Sequence, residues 1–311
     1  MREQPKKQYA RQLKINQAKY RVGLIPVTDV YGAQANFDAS AAQEISDKNT
    51  LQSDLEALTA ITNQHYKAVT GIKDDIPLIV PSPNNIDQWE QTATKQNFNL
   101  KSAQYATQQY QQNIGYQSSQ KLPTIDAKST LDYNHNSTSA KYSVGANLDL
   151  TFLPYQGGLV KSQTKQAQHD YESYQAQQEA ALRSAVQNTK TDFLNINANI
   201  ESIKANKKSI TSAEESYKAT EAGYAVGTKT LEDILSSISV LYGAKQSYIE
   251  SQYNYLYSII SLKLDAGTLS ADDLQTIDQW MSKDFAIAPL LATDKTRFKK
   301  PAKPTASTPP T

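Results

Sequence analysis

Three histidines and no cysteine are the side chains with which this chain could carry out acid–base, nucleophilic or metal chemistry. His65, His135 and His169 each stand alone, without a second histidine or a carboxylate cluster at the spacing of a triad or a metal site. The lack of cysteine excludes thiol catalysis, thiolate metal sites and disulfides. The sequence also has no glycine-rich phosphate loop. It therefore predicts a protein that is not an enzyme and that uses no cofactor and no metal.

Threonine and aspartate side chains recur at two helix starts, each just after a Val-Gly turn. Residues 19–30 have the sequence KYRVGLIPVTDV, and residues 223–234 have GYAVGTKTLEDI. Aligned without a gap, they match Tyr20 with Tyr224, Val22 with Val226, Gly23 with Gly227 and Asp29 with Asp233. A second echo pairs the IDQW at 86–89 with the IDQW at 277–280. An internal repeat is a fold-level signal, and this one predicts a unit that occurs twice, its first copy incomplete.

Most of the chain has the pattern of long helices. No glycine or proline occurs from Val160 to Ala222, which predicts a helix of about 95 Å at 1.5 Å per residue. We expect breaks near Phe98 and Gly115. The predicted helices cover residues 2–21, 28–69, 86–120, 160–222, 230–266 and 270–282.

Between these helices lies a segment with the two-residue period of β-strands. Apolar and polar side chains alternate over residues 124–133 and again over 141–152, and residues 134–138 form a polar turn. Such alternation fits a soluble hairpin with one buried face, and it also fits a hairpin of an outer-membrane barrel. An isolated hairpin is unstable in water, and the chain offers no other sheet. We therefore favour the membrane interpretation, with partner strands from other subunits.

Charge and hydropathy exclude several other classes of protein. The net charge is +1 and the mean hydropathy is −0.61. Basic residues are scattered among acidic ones without an aromatic-basic stripe, so we expect no nucleic-acid partner. No run approaches the length of an apolar membrane helix, and the start of the chain lacks the apolar segment of a signal peptide.

The turns, the alternating strands and the uninterrupted helix together resemble the TolC-like outer-membrane efflux protein family. The resemblance covers about residues 5–283. It rests on the first turn at 18–30, the second turn at 221–228 and the LPYQGG link at 153–158, which leads from strand to helix. It implies a mainly α fold with a β-hairpin, in which long antiparallel helices form a periplasmic α-barrel and the strands contribute to a trimeric transmembrane β-barrel.

The family implies a second strand pair in each subunit. If the β-hairpin is repeated at the same sequence distance as the two turns, its first copy falls before Met1. We therefore expect the chain to be the C-terminal portion of a longer precursor that also carries the signal peptide. The expected domains are a periplasmic helical hairpin at 1–70, an equatorial segment at 71–100, an ascending helix at 101–121, the outer-membrane β-hairpin at 122–157, a long periplasmic helical hairpin at 158–267, a second equatorial segment at 268–285 and a disordered tail at 286–311.

The resemblance also implies a gate at the periplasmic helix turns. Tyr224 is expected to bond Asp29 within a subunit, and Lys229 to reach Thr28 and Asp29 of a neighbouring subunit. Lysine stands where the family's best-known members have arginine, and it keeps the charge but loses the bidentate fork. A further constraint is expected between two other side chains, Gln12 and Glu221.

Two further roles follow from the same resemblance. Asp233 is expected to form an acidic ring at the pore entrance that favours cations, whereas the family's second ring position falls on Ser236. Docking to a periplasmic adaptor protein is expected at the two turns, through Val22, Gly23, Leu24, Val226, Gly227 and Thr228. Without the resemblance, Thr28, Asp29, Thr230 and Asp233 are ordinary helix-start residues, and a cap and a gate are compatible.

The expected function is that of an outer-membrane channel subunit. It would act as the exit duct of a tripartite efflux pump or a type I secretion system, extending from the outer membrane into the periplasm. The expected partners are two further copies in a homotrimer, a periplasmic adaptor protein, an inner-membrane transporter of the RND, ABC or MFS type, and outer-membrane lipid. The alternative is a soluble periplasmic coiled-coil scaffold or adaptor without a pore.

Overall fold

The computed structural model describes residues 3–66, 69–136 and 139–282. Its elements, in chain order, are α1 (Glu3–Arg21), α2 (Val27–Thr62), β1 (Gly71–Ile72), α3 (Ile86–Gln96), α4 (Phe98–Ser119), β2 (Thr124–Asn136), β3 (Ser139–Thr151), α5 (Leu159–Ala225), α6 (Leu231–Asp265), α7 (Ala271–Asp278) and β4 (Met281–Ser282). The prediction of a mainly α chain with one β-hairpin is confirmed. No helix in the described ranges is both long and apolar enough to cross a membrane.

Several predicted boundaries differ from those observed. Helix α2 ends at Thr62 and not near Val69, because Asn63 adopts a left-handed conformation (φ 54°) and its backbone N–H donates to Thr59. The predicted break near Gly115 is wrong, since α4 continues through that residue. The break before Phe98 is confirmed. The predicted tail at 286–311 lies outside the described residues.

The strands of the hairpin are longer than predicted and pair in the register that the alternation requires. Strand β2 extends to Asn136 and β3 begins at Ser139, so most of the predicted turn belongs to the strands. On one face the cross-strand pairs are Ile125–Leu150, Ala127–Leu148, Ser129–Ala146, Leu131–Val144 and Tyr133–Tyr142. On the other face they include Asp126–Asp149 and Lys128–Asn147. The hairpin therefore has one mainly apolar face and one polar face.

The chain divides into two compact units. The first is formed by the described parts of residues 1–78, 200–254 and 274–311. Its apolar cluster centres on Tyr224, Ile234 and Ile238, and the partly buried side chains packed against it are Tyr9, Tyr217, Leu231 and Tyr242. Four of these seven residues are tyrosines, so much of this core carries hydroxyl groups that need hydrogen-bond partners.

The second unit consists of residues 79–199 and 255–273. In this unit the break between α3 and α4 packs against the end of α6. The side chain of Asn97 caps α4 by accepting from the Leu100 N–H at 2.9 Å, and its amide donates to the Asp265 carbonyl at 2.7 Å. Gly267, with a φ of 72°, lies so close that a Cβ there would be 2.3 Å from the Gln96 carbonyl oxygen. Only glycine fits this position.

The carboxyl groups of Asp192 and Asp265 form a hydrogen-bonded pair in the same unit. Burial, together with the charge of the neighbouring Asp265 carboxylate and the hydrogen bond with it, raises the pKa of Asp192 to about 6. Burial also raises the pKa of Asp265, while its hydrogen bond with Asp192 lowers it. Lys190 and Lys263 are close in sequence, but they pair with Glu90 and Asp273. Because these two lysines pair with other carboxylates, the close approach of the two aspartates favours a proton bound between them.

We predict that Gly267→Ala destabilises the fold by about 2–5 kcal/mol, because it combines a left-handed residue with a backbone overlap. Gly115→Ala is the matched control, since a Cβ there meets nothing within 4 Å. The control should gain about 0.5–1 kcal/mol from helix propensity. Urea unfolding followed by helical circular dichroism measures both. Equal midpoints for the two variants would contradict the close packing at Gly267.

We predict that the effect of Asp192→Asn on stability depends on pH. The folded pKa of Asp192, about 6, lies above its usual value of 3.8, so the folded state binds more protons between those values. The protonated Asp192 therefore adds to the free energy of unfolding fully below pH 3.8, and this contribution is lost as the pH rises through the folded pKa of about 6. The variant should therefore gain relative stability between about pH 4 and about pH 7. Asp54→Asn, at an exposed position of α2, is the matched control in the same urea titrations.

Candidate gate at the two helix turns

Two backbone turns of the same type carry the candidate site, both in the first unit. After α1, Gly23 (φ 76°) donates to the Tyr20 carbonyl and Leu24 donates to the Lys19 carbonyl, both at 2.9 Å. After α5, Gly227 (φ 82°) is followed by Thr228, whose N–H donates to the Gly223 carbonyl at 2.9 Å. A left-handed glycine with these bonds closes a helix C-terminus. The repeat therefore predicted both turns correctly.

A fully buried asparagine on α1 joins the two turns. Asn16 is 0% exposed. Its Oδ1 accepts from Gln12 Nε2 at 3.0 Å and from the Tyr224 hydroxyl at 2.7 Å, and its Nδ2 donates to the Asp29 carbonyl at 3.3 Å. In this chain the Tyr224 hydroxyl donates to Asn16, which in turn donates to the backbone carbonyl of Asp29. The bond expected from Tyr224 directly to Asp29 remains a prediction.

Tyr224 is held by a second residue of α1. Lys19 Nζ donates to the Tyr224 carbonyl at 3.2 Å and lies 4.0 Å from the centre of its ring, within cation–π range. Burial raises the pKa of the Tyr224 phenol, and the charge of Asp29 adds to the rise. The phenol therefore stays protonated at neutral pH and remains a hydrogen-bond donor.

The other expected constraint, between Gln12 and Glu221, remains a prediction, and the contacts of these two residues within the chain are with other partners. Gln12 donates to Asn16, as described above, and Glu221 pairs with Arg11 at 3.1 Å. The first contact lies within α1, and the second joins α1 to α5. The ion pair is largely exposed, so it contributes little, about 0.2–1 kcal/mol.

The two helix starts that follow the turns are built differently. At the start of α6, Asp233 Oδ2 accepts from both the N–H and the hydroxyl of Thr230 at 2.9 Å, and the Thr230 hydroxyl accepts from the Asp233 N–H at 3.2 Å. This is a reciprocal capping arrangement, and the backbone hydrogen bond from Thr230 lowers the pKa of Asp233. Helix α2 begins after Pro26, and among the described contacts no side chain of Thr28 or Asp29 caps it.

The remaining predicted site residues lie at the surface of the turns. Val22, Leu24 and Val226 are 68%, 72% and 75% exposed. Lys229 is exposed and lines, together with Thr28 and Asp29, a cleft of about 800 Å³ between the turns. Its predicted bond to a neighbouring subunit, the acidic ring at Asp233 and the docking role of the turns remain predictions.

The histidines remain apart. His65 is exposed, and His169 Nδ1 lies 3.1 Å from Glu172 on an exposed helix face. His135 belongs to β2 and not to a loop, and its side chain lies outside the described residues. No cluster of three or more potential metal ligands occurs within the described ranges.

Three residues of the site were not predicted from the sequence, namely Arg11, Asn16 and Lys19. Gln12, Asn16 and Lys19 are spaced four and three residues apart, so they share one face of α1. That spacing was a usable signal for a polar seam, but nothing local indicated that Asn16 is buried.

We predict that Tyr224→Phe loosens the turns by about 1 kcal/mol, the usual net value of one hydrogen bond. Asn16 Oδ1 keeps its bond from Gln12, so the network should weaken without collapsing. Amide hydrogen exchange over residues 19–30 should accelerate about fivefold. Tyr31→Phe, whose side chain is 68% exposed, is the matched control and should exchange like the unsubstituted protein. Unchanged exchange in Tyr224→Phe would show that the hydroxyl does not hold the turns.

Comparison with known proteins identifies the family. The model of the family described as "Outer membrane efflux protein" matches residues 1–64 and 89–268. The chain is 34% identical over 295 residues to the outer membrane protein TolC of Escherichia coli (strain K12), covering 90% of this chain and 59% of that protein. It is 26% identical over 299 residues to the proteases secretion protein PrtF of Dickeya chrysanthemi, covering 91% of this chain and 62% of that protein.

Solved structures agree on the fold. The Campylobacter jejuni CmeC outer membrane channel superposes with a TM-score of 0.64 at 18% identity, covering 89% of this chain and 61% of that one. The chain therefore spans about three fifths of the length of the proteins that it matches, and the predicted resemblance is confirmed. It belongs to the outer membrane efflux protein family.

Proposed function

We propose that this chain is a subunit of an outer-membrane channel that serves as the exit duct of an efflux pump or a type I secretion system. The observation that carries the proposal is the hairpin. Its apolar face is open to the surroundings, with Val144 77% and Leu148 74% exposed. From Ile125 to Tyr133 this face extends about 27 Å along the strand, close to the height of the apolar band of outer-membrane barrels.

A hairpin in a membrane must become part of a closed barrel, because unpaired backbone groups are too costly in lipid. The described strands β2 and β3 pair only with each other. We propose that further copies of the subunit in a homotrimer contribute to the closure. In this arrangement the segment at 122–157 lies in the membrane with its polar face toward the lumen. The helical segments at 1–70, 101–121 and 158–267 would form the periplasmic tube, with the segments at 71–100 and 268–285 at its equator.

The turns would form the gate at the periplasmic end of that tube. Tyr224 would act there through Asn16, and Asp29 would act through its backbone carbonyl and its nearby charge. Lys229 and Thr28, both lining the cleft between the turns, are proposed to bond between subunits. Gln12 and Glu221 support the same end through Asn16 and Arg11. Asp233 is proposed to line the entrance while it caps α6.

The partners proposed for the duct follow from its chemistry and its relatives. The exposed Val22, Leu24 and Val226, with the adjacent Gly23, Gly227 and Thr228, would meet a periplasmic adaptor protein. The energy would come from an inner-membrane transporter of the RND, ABC or MFS type. The similarity to PrtF, a proteases secretion protein, supports type I secretion as one use of such a duct.

A charge placed on each face of the hairpin tests the membrane role. We predict that Leu148→Arg, on the apolar face, lowers the yield of chain in the outer-membrane fraction, because an arginine at mid-bilayer depth costs about 2–4 kcal/mol. Asn147→Arg, one residue away on the polar face, is the matched control and should be tolerated. The measurement is membrane fractionation followed by detergent extraction, with heat-modifiable trimers as the readout.

Equal tolerance of both substitutions, with the chain in the soluble fraction, would contradict a membrane hairpin. That result would favour a soluble periplasmic coiled-coil scaffold without a pore. Equal loss with both substitutions would indicate a hairpin buried on both faces.

A further inference from the structure

We propose that Asn16 is the positioning residue of the gate, and that the closed turns depend more on its side-chain amide than on Tyr224. The inference rests on the proposed gate function. It concerns a residue on α1 that touches both turn regions through hydrogen bonds, although it belongs to neither turn itself.

The burial of Asn16 makes its hydrogen bonds obligatory. The residue is 0% exposed, and Gln12, one helical turn earlier, is 4% exposed. Buried polar atoms must be paired within the protein or with ordered water. Here Oδ1 takes two donors and Nδ2 finds the Asp29 carbonyl. The amide is therefore satisfied only while α1, α2 and α5 keep this arrangement.

Loss of the Asn16 side chain breaks more hydrogen bonds of this network than loss of the Tyr224 hydroxyl. Removing the Tyr224 hydroxyl leaves Asn16 bonded to Gln12 and to Asp29. Removing the Asn16 amide leaves both the Gln12 amide and the Tyr224 hydroxyl without their acceptor inside a buried site. Unsatisfied buried groups cost more than the net value of a made bond. Loss of Asn16 should therefore open the turns more than loss of the Tyr224 hydroxyl.

The bond from Asn16 to Asp29 also positions the predicted gate residues. The Asp29 carbonyl lies in the first turn of α2, where no described side chain caps the helix. The Asn16 amide is thus a side-chain donor on the backbone that carries Thr28 and Asp29. Lys19, about one turn further along α1, also contacts Tyr224, through the carbonyl and the ring of that residue. One face of α1 therefore orients both turn regions.

The charge environment of Asn16 provides a specific test. The titratable group in direct contact with Asn16 is Tyr224 on α5, and the charged groups close to Tyr224 are Lys19 on α1 and Asp29 on α2. Arg11, the residue before Gln12, pairs with Glu221. An aspartate at position 16 would still accept from Gln12 and Tyr224, but it would lose the donor to the Asp29 carbonyl and add a negative charge beside Asp29. Protonation at low pH would remove that charge and restore a donor. Asn16→Asp should therefore open the gate at neutral pH and close it again in acid.

The experiment compares Asn16→Ala, Asn16→Asp and Tyr224→Phe in the full chain. Single-channel recording in planar lipid bilayers at about pH 7 and about pH 4.5 reports the gate, and amide exchange over residues 19–30 reports the turns. We expect Asn16→Ala to raise open probability about tenfold or more, above the roughly fivefold rise in Tyr224→Phe. Asn16→Asp should match Asn16→Ala at neutral pH and return toward the unsubstituted protein in acid.

Gln17→Glu is the matched control, since it adds the same charge to the next residue of α1, and it should leave both readouts unchanged at either pH. Asn16 variants that stay closed while Tyr224→Phe opens would overturn the proposal and leave the gate in place. Faster turn exchange without any change in conductance, in every variant, would instead overturn the gate itself. Asn16→Asp that opens equally at both pH values would show that folding was damaged and would also overturn the proposal.

Discussion

A buried amide accepts only a few arrangements of its neighbours, and in this protein that restriction ties three helices together. Asn16 has no access to solvent and draws its partners from α1, α2 and α5. Apolar contacts between helices are non-directional and tolerate small slips, whereas an amide that must satisfy both its oxygen and its nitrogen does not. The relative register of the two turn regions is therefore set mainly by hydrogen bonding, with the apolar cluster around Tyr224 supplying the bulk of the burial.

A polar seam of this kind suits helices whose packing has to change. A thick apolar interface would make separation costly in proportion to the area exposed. Hydrogen bonds exchange with water at a modest net cost, about 0.5–1.5 kcal/mol each, so a seam built from them is specific when closed and inexpensive to open. The buried polar residues in the described helices include Gln12, Asn16, Thr189, Ser251, Gln252 and Ser258. Such residues add directional contacts to helices that contain few large aliphatic side chains.

The sequence predicted those features that depend on one residue or on a short period. A left-handed glycine was enough to predict both turns, and strict alternation was enough to predict the two strands and which of their side chains share the apolar face. The helix end at Asn63 was missed because asparagine adopts the left-handed conformation only some of the time. The predicted break near Gly115 was wrong because a single glycine weakens a helix without ending it. The contact of Asn97 with Asp265 and the burial of Asn16 depend on residues more than a hundred positions apart, and no local pattern contains that information.

The two repeats also show where the inference from sequence similarity ends. Asp29 and Asp233 occupy equivalent positions, and the backbone turns before them are alike. Asp233 nevertheless uses its carboxylate to cap its own helix through Thr230, whereas α2 begins after Pro26 and Asp29 presents its carbonyl to Asn16. The residue three positions before each aspartate accounts for the difference, because proline has no hydroxyl and no N–H to offer. A repeat thus preserves the path of the backbone, while the side chains at matched positions take different partners. The turn between α1 and α2 therefore depends on Asn16 of α1 for its alignment, whereas α6, which follows the second turn, is capped by its own Asp233.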